Sequence, residues 1–437
     1  MKKKLLTTLV LLLSLSHVIA QKAITGTVTF QNKSMEGVIV TSKFTGASAM
    51  TDKDGKFTID IFSDSTFLMI DAIYFNQFEV FVGDESTVDI ELKESDMIVD
   101  AKASPIKEPE KNYATVRVFF ATDRNLTTNT NPVEKFGSKR SQMKYGICEV
   151  SIPRDHKMGE LEEAAIWKFE LNNDPEKHVT LLKVDVKQKT VFFNELKKRT
   201  NESPEKKAFI FVHGYNVSFE DASRRTAQMS YDLGFNGAPV FYSWPSQASI
   251  LGYNVDEGNI EWSQANLKAF LLDFLSQSDA ENIYLIAHSM GNRGLTRALT
   301  SIIAEKPEMT KRIKEIILAA PDIDADVFKR DIAPVLIEGK KPITLYTSSN
   351  DLALVASNKF SSYPRAGQAG ESMVVLTGIE TIDASNVKTD FLGHSYFGDS
   401  STILSDLFSI INKGIIANER KNLKKIIKDG LFFWVIN

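Results

Sequence analysis

The chain has 437 residues, which is enough for two or three domains with sizeable hydrophobic cores. Its composition, 43% hydrophobic and 25% charged, is typical of a soluble globular protein. Because 56 acidic residues outnumber 52 basic ones, the charge balance gives no reason to expect nucleic acid as a partner.

Residues 1–20 have the pattern of a secretory signal peptide, with lysines at positions 2–4, an apolar run over 5–15 and a small residue at Ala20. The apolar run is too short to span a bilayer comfortably. Gln21, not a cysteine, stands directly after the expected cleavage at Ala20, so we expect an exported protein, periplasmic or extracellular, that is not a lipoprotein. The only cysteine, Cys148, excludes an intrachain disulfide and is predicted to be a buried apolar residue.

Residues 21–94 alternate short apolar runs with turn residues, which predicts a small all-β sandwich. Asp and Gly in the turn over residues 51–55 are typical of a hairpin. With the opening Ile24-Thr25-Gly26-Thr27-Val28, this turn resembles the carboxypeptidase regulatory-like domain of exported bacterial proteins. The resemblance implies a binding or spacer module without catalysis, with a protein or a glycan as its partner.

Residues 95–112 are charged and contain two prolines, which favours a linker. At the other end of the chain, residues 413–437 are basic and finish on aromatic residues. This pattern predicts a helix that docks its apolar end on the preceding domain, or that makes weak contact with a membrane surface.

Residues 113–412 alternate apolar runs with helical periods, which predicts an α/β fold. The runs lack polar alternation, so they indicate parallel strands buried on both faces. The main predicted strands are residues 208–212, 239–243, 283–286, 316–319, 343–346 and, as the last one, 373–376. The clearest helical periods are residues 219–233, 262–275 and 293–304.

Ser289 lies between a buried strand and a helix, within Ala287-His288-Ser289-Met290-Gly291. A serine on such a turn is the nucleophile elbow of α/β-hydrolases. The strand and helix pass closely there, so the residues two before and two after the serine must be small, as Ala287 and Gly291 are. The alternative is an ordinary serine that caps a helix.

The triad members of this fold follow the order serine, acid, histidine. Of the six histidines, only His394 lies far enough after Ser289. Asp351, after the strand at 343–346, is the first choice for the acid, with Asp322 and Asp383 as alternatives. The carboxylate would hold the histidine tautomer and stabilise the imidazolium that forms during catalysis.

The oxyanion hole needs two backbone N–H groups close to the nucleophile. We expect one from Met290, which follows Ser289, and one from Tyr215 in the loop after the strand at 208–212. His213 is expected to hold that loop through its backbone, and Trp244 is either a pocket wall or a core aromatic. The predicted pocket residues are His213, Asn216, Trp244 and His288.

Other chemistries fit the sequence poorly. Residues 322–326 begin like a calcium loop, but Val327 replaces the glycine and Ala333 the final glutamate. The sequence contains no H-E-x-x-H motif, no Walker motif and no dinucleotide-binding glycine motif. We therefore expect neither a metal nor a cofactor.

Several stretches together resemble an uncharacterised bacterial family of esterase/lipase-like α/β-hydrolases. They are Phe211-Val212-His213-Gly214-Tyr215-Asn216, Tyr242-Ser243-Trp244-Pro245-Ser246, Ala287-His288-Ser289-Met290-Gly291-Asn292, Leu318-Ala319-Ala320-Pro321-Asp322 and Gly393-His394-Ser395-Tyr396-Phe397. The segment around Asp123 and Arg124 also resembles this family, as a structural ion pair or a pocket element.

The resemblance implies an α/β-hydrolase fold and serine-hydrolase chemistry. We therefore expect an exported enzyme that cleaves a small-molecule or lipid carboxylic ester through an acyl-enzyme. The same residues would serve an amidase or a thioesterase. The alternative from another class is a non-catalytic surface binding protein built on a hydrolase scaffold.

Overall fold

A computed structural model describes residues 22–43, 47–61, 67–72, 75, 78–83, 85–93, 112–163, 173–350, 363–387 and 400–436. The predicted signal peptide lies outside these residues, as does the predicted linker up to residue 111. The chain divides into two units, one of residues up to 71 together with 77–92, and one of 72–76 together with 93 onward.

The N-terminal unit consists of two four-stranded sheets, which confirms the predicted all-β architecture. In the first sheet, β1 pairs antiparallel with β2 and β5 and parallel with β8. The second sheet is antiparallel throughout, in the order β4-β3-β6-β7. The strands are β1 Lys22–Phe30, β2 Lys33–Ser34, β3 Ile39–Ser42, β4 Ser48–Met50, β5 Lys56–Ile61, β6 Phe67–Asp71, β7 Phe78–Phe81 and β8 Thr87–Leu92.

The second unit contains an 11-stranded sheet in the order β11-β10-β9-β13-β12-β14-β15-β16-β17-β19-β18. Every neighbouring pair from β9 to β19 along this order is parallel, and β10, β11 and β18 add antiparallel strands at the two edges. The strands are β9 Tyr113–Leu126, β10 Phe136–Pro153, β11 Thr180–Lys187, β12 Lys207–Val212, β13 Gly237–Ser243, β14 Asn282–His288, β15 Ile313–Ala319, β16 Ile343–Thr347, β17 Glu380–Asp383, β18 Leu423–Lys428 and β19 Leu431–Ile436.

Helices cover both faces of this sheet. Alternate residues of β12 face opposite layers, so Ile210 packs in one core with α1, α3 and α4, and Phe211 packs in the other with α2 and α7. The α-helices of the described residues are α1 Lys189–Glu202, α2 Phe219–Asp232, α3 Tyr253–Gln277, α4 Gly291–Glu305, α5 Ala325–Val327, α6 Ala333–Glu338 and α7 Ser401–Ile411. None of the helices in the described part of the chain is long and apolar enough to cross a membrane.

The chain order across the sheet reverses at β12. Strand β13 pairs on one side of β12, and β14 crosses to the other side, where β15, β16 and β17 follow. In open parallel sheets, ligands bind at the carboxyl ends of the strands where the order reverses. The topology therefore predicts a ligand site at the loops after β12 and β14, which carry His213 and Ser289.

The prediction of a last strand at 373–376 is wrong. The strand beside β16 is β17, and Met373 and Val374 are buried without joining the sheet. The hydroxyl of Thr381 in β17 donates to the carbonyl of Val374. A short apolar run indicates burial, but it does not distinguish a strand from a buried loop.

The prediction of a basic C-terminal helix is also wrong. Strands β18 and β19 form an antiparallel hairpin, and β19 pairs with β17 at the edge of the main sheet. Asp429 and Gly430 join them with φ of 51° and 78°, the conformation of a type I′ turn. This Asp-Gly pair, between runs rich in β-branched and aromatic residues, is the sequence signal for the hairpin.

A buried histidine joins the end of β10 to α2. The ring of His156 contacts Glu162 through Nδ1 and Asp232 through Nε2, each at 2.8 Å. Burial by itself lowers the pKa of His156, but the hydrogen bonds that its ring donates to these two carboxylates outweigh burial and raise the pKa to about 9. The imidazolium therefore links the two carboxylates at neutral pH.

His156→Gln should lower the free energy of unfolding at pH 6 by roughly 3 kcal/mol, and this difference should vanish above pH 9. The folded pKa lies above the unfolded value, so protonation stabilises the native state fully below about pH 6.5, and this contribution is lost as the pH rises through the folded pKa. Urea unfolding of both proteins from pH 6 to 10 measures the difference. A constant difference across this range would contradict the assignment.

Candidate active site

Ser289 occupies the turn between β14 and α4 with a strained backbone. Its φ is 51°, a left-handed conformation that non-glycine residues rarely adopt. Its N–H donates to the carbonyl of Ala319 in β15 at 2.9 Å. Its carbonyl accepts from the backbone N–H of Asn292 at 3.1 Å and of Asp322 at 3.2 Å. These bonds hold the residue in a conformation that it would otherwise avoid.

The two glycines at this turn allow a close approach of backbone segments. A Cβ on Gly291 would lie 2.3 Å from the carbonyl oxygen of His213 and 2.6 Å from that of Val212. A Cβ on Gly214 would lie 2.9 Å from the Cβ of Ser289. The start of α4 therefore packs directly on the end of β12, the close approach that the sequence predicts from the small residue at 291.

The predicted oxyanion donors lie on the two segments that flank the serine. Met290 follows Ser289, and Tyr215 follows Gly214, which packs against Ser289. The hydroxyl of Tyr215 donates to the carbonyl of Ile250 in the loop before α3. An oxyanion hole requires two backbone amides aimed at one oxygen, and the contact of Gly214 with Ser289 brings together the segments that carry the two predicted donors.

His213 is buried and bonded to the loop after β12. Its Nδ1 lies 2.8 Å from the carbonyl of Gly214, and its ring stacks on Trp244 with centroids 5.0 Å apart. The indole N–H of Trp244 donates back to the carbonyl of His213. Burial, with the charge of Arg124, lowers the pKa of His213 to about 3, so the ring is neutral.

Two of the predicted pocket residues are buried, as the predicted nucleophile is. His213 is 1% exposed, Trp244 0% and Ser289 2%. Asn216 is exposed with a φ of 57°, and its N–H lies 3.4 Å from the carboxylate of Asp256. His288 is half-buried, and its Nδ1 lies 3.0 Å from the position of a Cβ on Gly214.

Asp123 and Arg124 point to different partners and do not pair with each other by a hydrogen bond. Asp123 accepts from the hydroxyl of Tyr242 at 2.7 Å and from the side-chain amide of Asn266 at 3.0 Å. Burial raises the pKa of Asp123. Arg124 donates instead to the loops after β12 and β13. The predicted structural role fits both residues, but not as an ion pair.

Of the three candidates for the acid, the structure describes two. Asp322 is 2% exposed, and its carboxylate accepts from Tyr253 at 2.7 Å, Arg293 at 3.1 Å and Arg365 at 3.2 Å. Two guanidinium groups neutralise this carboxylate, so we assign it a structural role beneath the elbow. Asp383 ends β17 and accepts from the N–H and the hydroxyl of Ser385. Asp351 and His394 lie outside the described residues.

Sequence reasoning missed two residues that organise the site. Asp256 on α3 accepts from the hydroxyl of Ser246 at 2.6 Å and from the N–H of Gln247 at 2.7 Å, which joins α3 to the loop after β13. Arg293 links Asp322 to Glu257 on α3, with 2.7 Å between Arg293 and Glu257. No local motif marks either residue, because their partners are far away in the sequence.

A parallel sheet covered on both faces, with a strained serine between strand and helix, defines an α/β hydrolase. Residues 188–411 match the model of a family described as "Alpha/beta hydrolase of unknown function (DUF900)". This match covers slightly more than half of the chain, and the chain belongs to this family.

The sequence is also similar to proteins named "Putative esterase/lipase 3" from two bacteria. The Mycoplasma pneumoniae protein is 31% identical over 148 residues, 33% of this chain and 45% of that protein. The Mycoplasma genitalium protein is 31% identical over 144 residues, 32% of this chain and 44% of that protein. The matched region thus spans less than half the length of either relative.

Among solved structures, carboxylesterase CesB from Bacillus subtilis is 12% identical, with a TM-score of 0.28. The similarity covers 49% of this chain and 87% of that protein.

Proposed function

We propose that this protein is an exported serine hydrolase that cleaves carboxylic esters with Ser289 as its nucleophile. The observation that carries the proposal is the strained conformation of Ser289 between β14 and α4, against the Gly214 loop. The family assignment and the esterase/lipase names of the two relatives support an ester as the substrate. The predicted signal peptide supports export.

In the proposed mechanism, the Ser289 hydroxyl attacks the ester carbonyl while His394 accepts its proton, and Asp351 stabilises the resulting imidazolium. The N–H groups of Met290 and Tyr215 stabilise the tetrahedral oxyanion. Collapse expels the alcohol, which takes its proton from His394, and leaves the acyl group on Ser289. Water then attacks the acyl-enzyme with His394 as the base, and the acid is released. An amide or a thioester would pass through the same steps.

Exposed apolar side chains in residues 250–255, a segment that Tyr215 contacts, favour an ester with an apolar acyl or alcohol part. Leu251 is 96% exposed, Ile250 70% and Val255 53%. They are tied to the site because Tyr215 donates to the carbonyl of Ile250. Exposed apolar groups clustered beside a site commonly mark a surface for apolar ligands. A small-molecule or lipid ester would fit this surface, and the N-terminal unit would serve as a binding or spacer module.

A fluorophosphonate probe tests the nucleophile. The purified wild type should form a covalent adduct on the peptide that contains Ser289, and Ser289→Ala should not, since the probe reacts with an activated serine hydroxyl. Ser301→Ala is the matched control, because Ser301 is a half-buried serine of α4 whose hydroxyl contacts Glu305, and it should label like the wild type. Labelling and adduct mapping by mass spectrometry are the measurements.

In the same assay, His394→Ala and Asp351→Asn should label slowly, whereas Asp383→Asn should label at the wild-type rate. Undiminished labelling of Ser289→Ala would refute the nucleophile. A wild type that takes no probe and hydrolyses no short- or medium-chain p-nitrophenyl ester would favour the binding-protein alternative.

A further inference from the structure

We propose that Arg124 is a positioning residue that acts through Ser243 and His213 to orient the backbone N–H of Tyr215 as an oxyanion donor. The inference deepens the proposed serine-hydrolase function and rests on it. Arg124 itself does not touch the reacting atoms. It lies on β9 and donates to the loops after β12 and β13. The loop after β12 carries Gly214, which packs against Ser289.

Arg124 is a buried cation surrounded by neutral oxygens. It is 1% exposed and donates to the Ser243 hydroxyl at 2.8 Å. It also donates to the backbone carbonyls of Val217 at 2.7 Å, Ser246 at 2.9 Å and Gly137 at 3.3 Å. Burial lowers the pKa of Arg124 to about 10, although Asp123 and Asp256 oppose this shift, so the guanidinium remains charged at neutral pH. A buried charge without a bonded carboxylate is costly. The Arg124 guanidinium nevertheless lies between the loops after β12 and β13 and donates to both.

A chain of hydrogen bonds runs from Arg124 through Ser243 and His213 to the carbonyl of Gly214. The groups at its two ends fix the direction of every bond in it. A guanidinium can only donate and a carbonyl can only accept. The Ser243 hydroxyl therefore accepts from Arg124 and donates to Nε2 of His213, which lies 3.2 Å away. Nδ1–H of His213 then donates to the Gly214 carbonyl at 2.8 Å. A neutral His213 is required for this direction, and its low pKa maintains that state.

This chain of bonds ends on the amide that carries the predicted donor. The carbonyl of Gly214 and the N–H of Tyr215 belong to one planar trans amide and point in opposite directions. The bond from His213 holds this plane, so the N–H of Tyr215 points away from the His213 ring. Because Gly214 packs against Ser289, the orientation of this amide decides whether its N–H can reach an oxyanion formed on Ser289.

The charge of Arg124 also strengthens the donor. Hydrogen bonds that run in one direction polarise each other, more so in a buried environment of low dielectric constant. A cation at the donor end draws electron density along the chain and leaves the Gly214–Tyr215 amide with a more positive N–H. The effect is largest when negative charge develops on the oxyanion, so it should act on the transition state more than on the bound substrate.

The test compares Ser243→Ala with Thr122→Val, in the full chain. Ser243→Ala interrupts the chain of bonds and keeps Arg124. Thr122→Val is the matched control, because it removes a buried hydroxyl that contacts only the backbone of these residues: it donates to the carbonyl of Ser243 and accepts from the backbone N–H of Arg124, and it contacts none of the bonded side chains. With a soluble p-nitrophenyl ester, Ser243→Ala should lower kcat about 10- to 100-fold with KM nearly unchanged. The control should keep kcat within about threefold, with a similar change in Tm.

A second measurement is the affinity for a trifluoromethyl ketone, which forms an oxyanion on the serine. Loss of a purely structural contact would not change this affinity. Its affinity should fall in Ser243→Ala in proportion to kcat/KM, and Arg124→Lys should lie between that variant and the wild type. Equal kcat and inhibitor affinity in Ser243→Ala and Thr122→Val would overturn the inference and leave the proposed function intact. A wild type without activity or probe labelling would overturn both.

Discussion

Gly291→Ala is expected to slow fluorophosphonate labelling and ester hydrolysis by about 100-fold or more. The new Cβ would lie 2.3 Å from the carbonyl oxygen of His213 and 2.6 Å from that of Val212, both rigid backbone atoms. The start of α4 must move away from β12 to relieve these contacts, and Ser289 moves with it. A displacement of about 1 Å at a reacting group can cost about 100-fold in rate.

Gly294→Ala is the matched control on the same helix. There the added Cβ would lie 2.8 Å from Cδ1 of Ile260, the flexible end of a side chain that can adjust. Both substitutions raise the helix propensity of α4 by a similar amount, about 1 kcal/mol. Labelling rates measured together with Tm separate a local displacement of Ser289 from global destabilisation. A Gly291→Ala protein with wild-type kinetics would show that the elbow does not need this close approach.

Arg420→Met is expected to lower the free energy of unfolding by about 3–5 kcal/mol. Arg420 donates to Asp406 on α7 and to Glu380 on β17, each at 2.7 Å, and the side chains of Arg420 and Asp406 are fully buried. Asp406 also accepts from the hydroxyl of Tyr346 in β16. Removal of the guanidinium leaves the buried Asp406 carboxylate and the partly buried Glu380 carboxylate without their compensating charge.

Urea unfolding measures this loss. Arg330→Met is the matched control, because Arg330 makes a two-bond contact with Asp331 on the surface and is 76% exposed, so its loss should change the unfolding midpoint little. Asp406→Asn in the Arg420→Met background should recover part of the stability, since it removes the stranded charge. An Arg420→Met protein as stable as the Arg330→Met protein would contradict the assigned role.

The part of the fold that depends on local patterns could be predicted from the sequence. The run at 208–212 lacks polar alternation because β12 is buried on both faces, and the structure places it in the middle of the parallel sheet. The helical period at 219–233 matches α2, whose start is marked by a capping box between Ser218 and Asp221. These signals lie within a few residues of the elements that they specify.

Predictions failed where a short segment depends on distant partners. Residues 373–376 have the composition of a strand, but β17 takes the place beside β16. The C-terminal residues were predicted as a helix, yet β17 supplies a parallel partner for β19 and makes the hairpin part of the sheet. Hydrophobic periodicity does not predict either pairing, because each pairing depends on the strand that forms the edge of the sheet, and that strand is distant in the sequence or lies in another segment.

Local sequence specifies the position of Ser289 between a strand and a helix, the small residue required at Gly291, and the alternation that produces a covered parallel sheet. The contacts between distant residues are known from the folded structure alone: Asp322 is neutralised by Arg293 and Arg365, and Arg124 is connected to Gly214 through Ser243 and His213. The reason is physical. Turn and strand propensities act between neighbouring residues, whereas hydrogen bonds and ion pairs at the site join groups that only the folded sheet brings within hydrogen-bonding distance of one another.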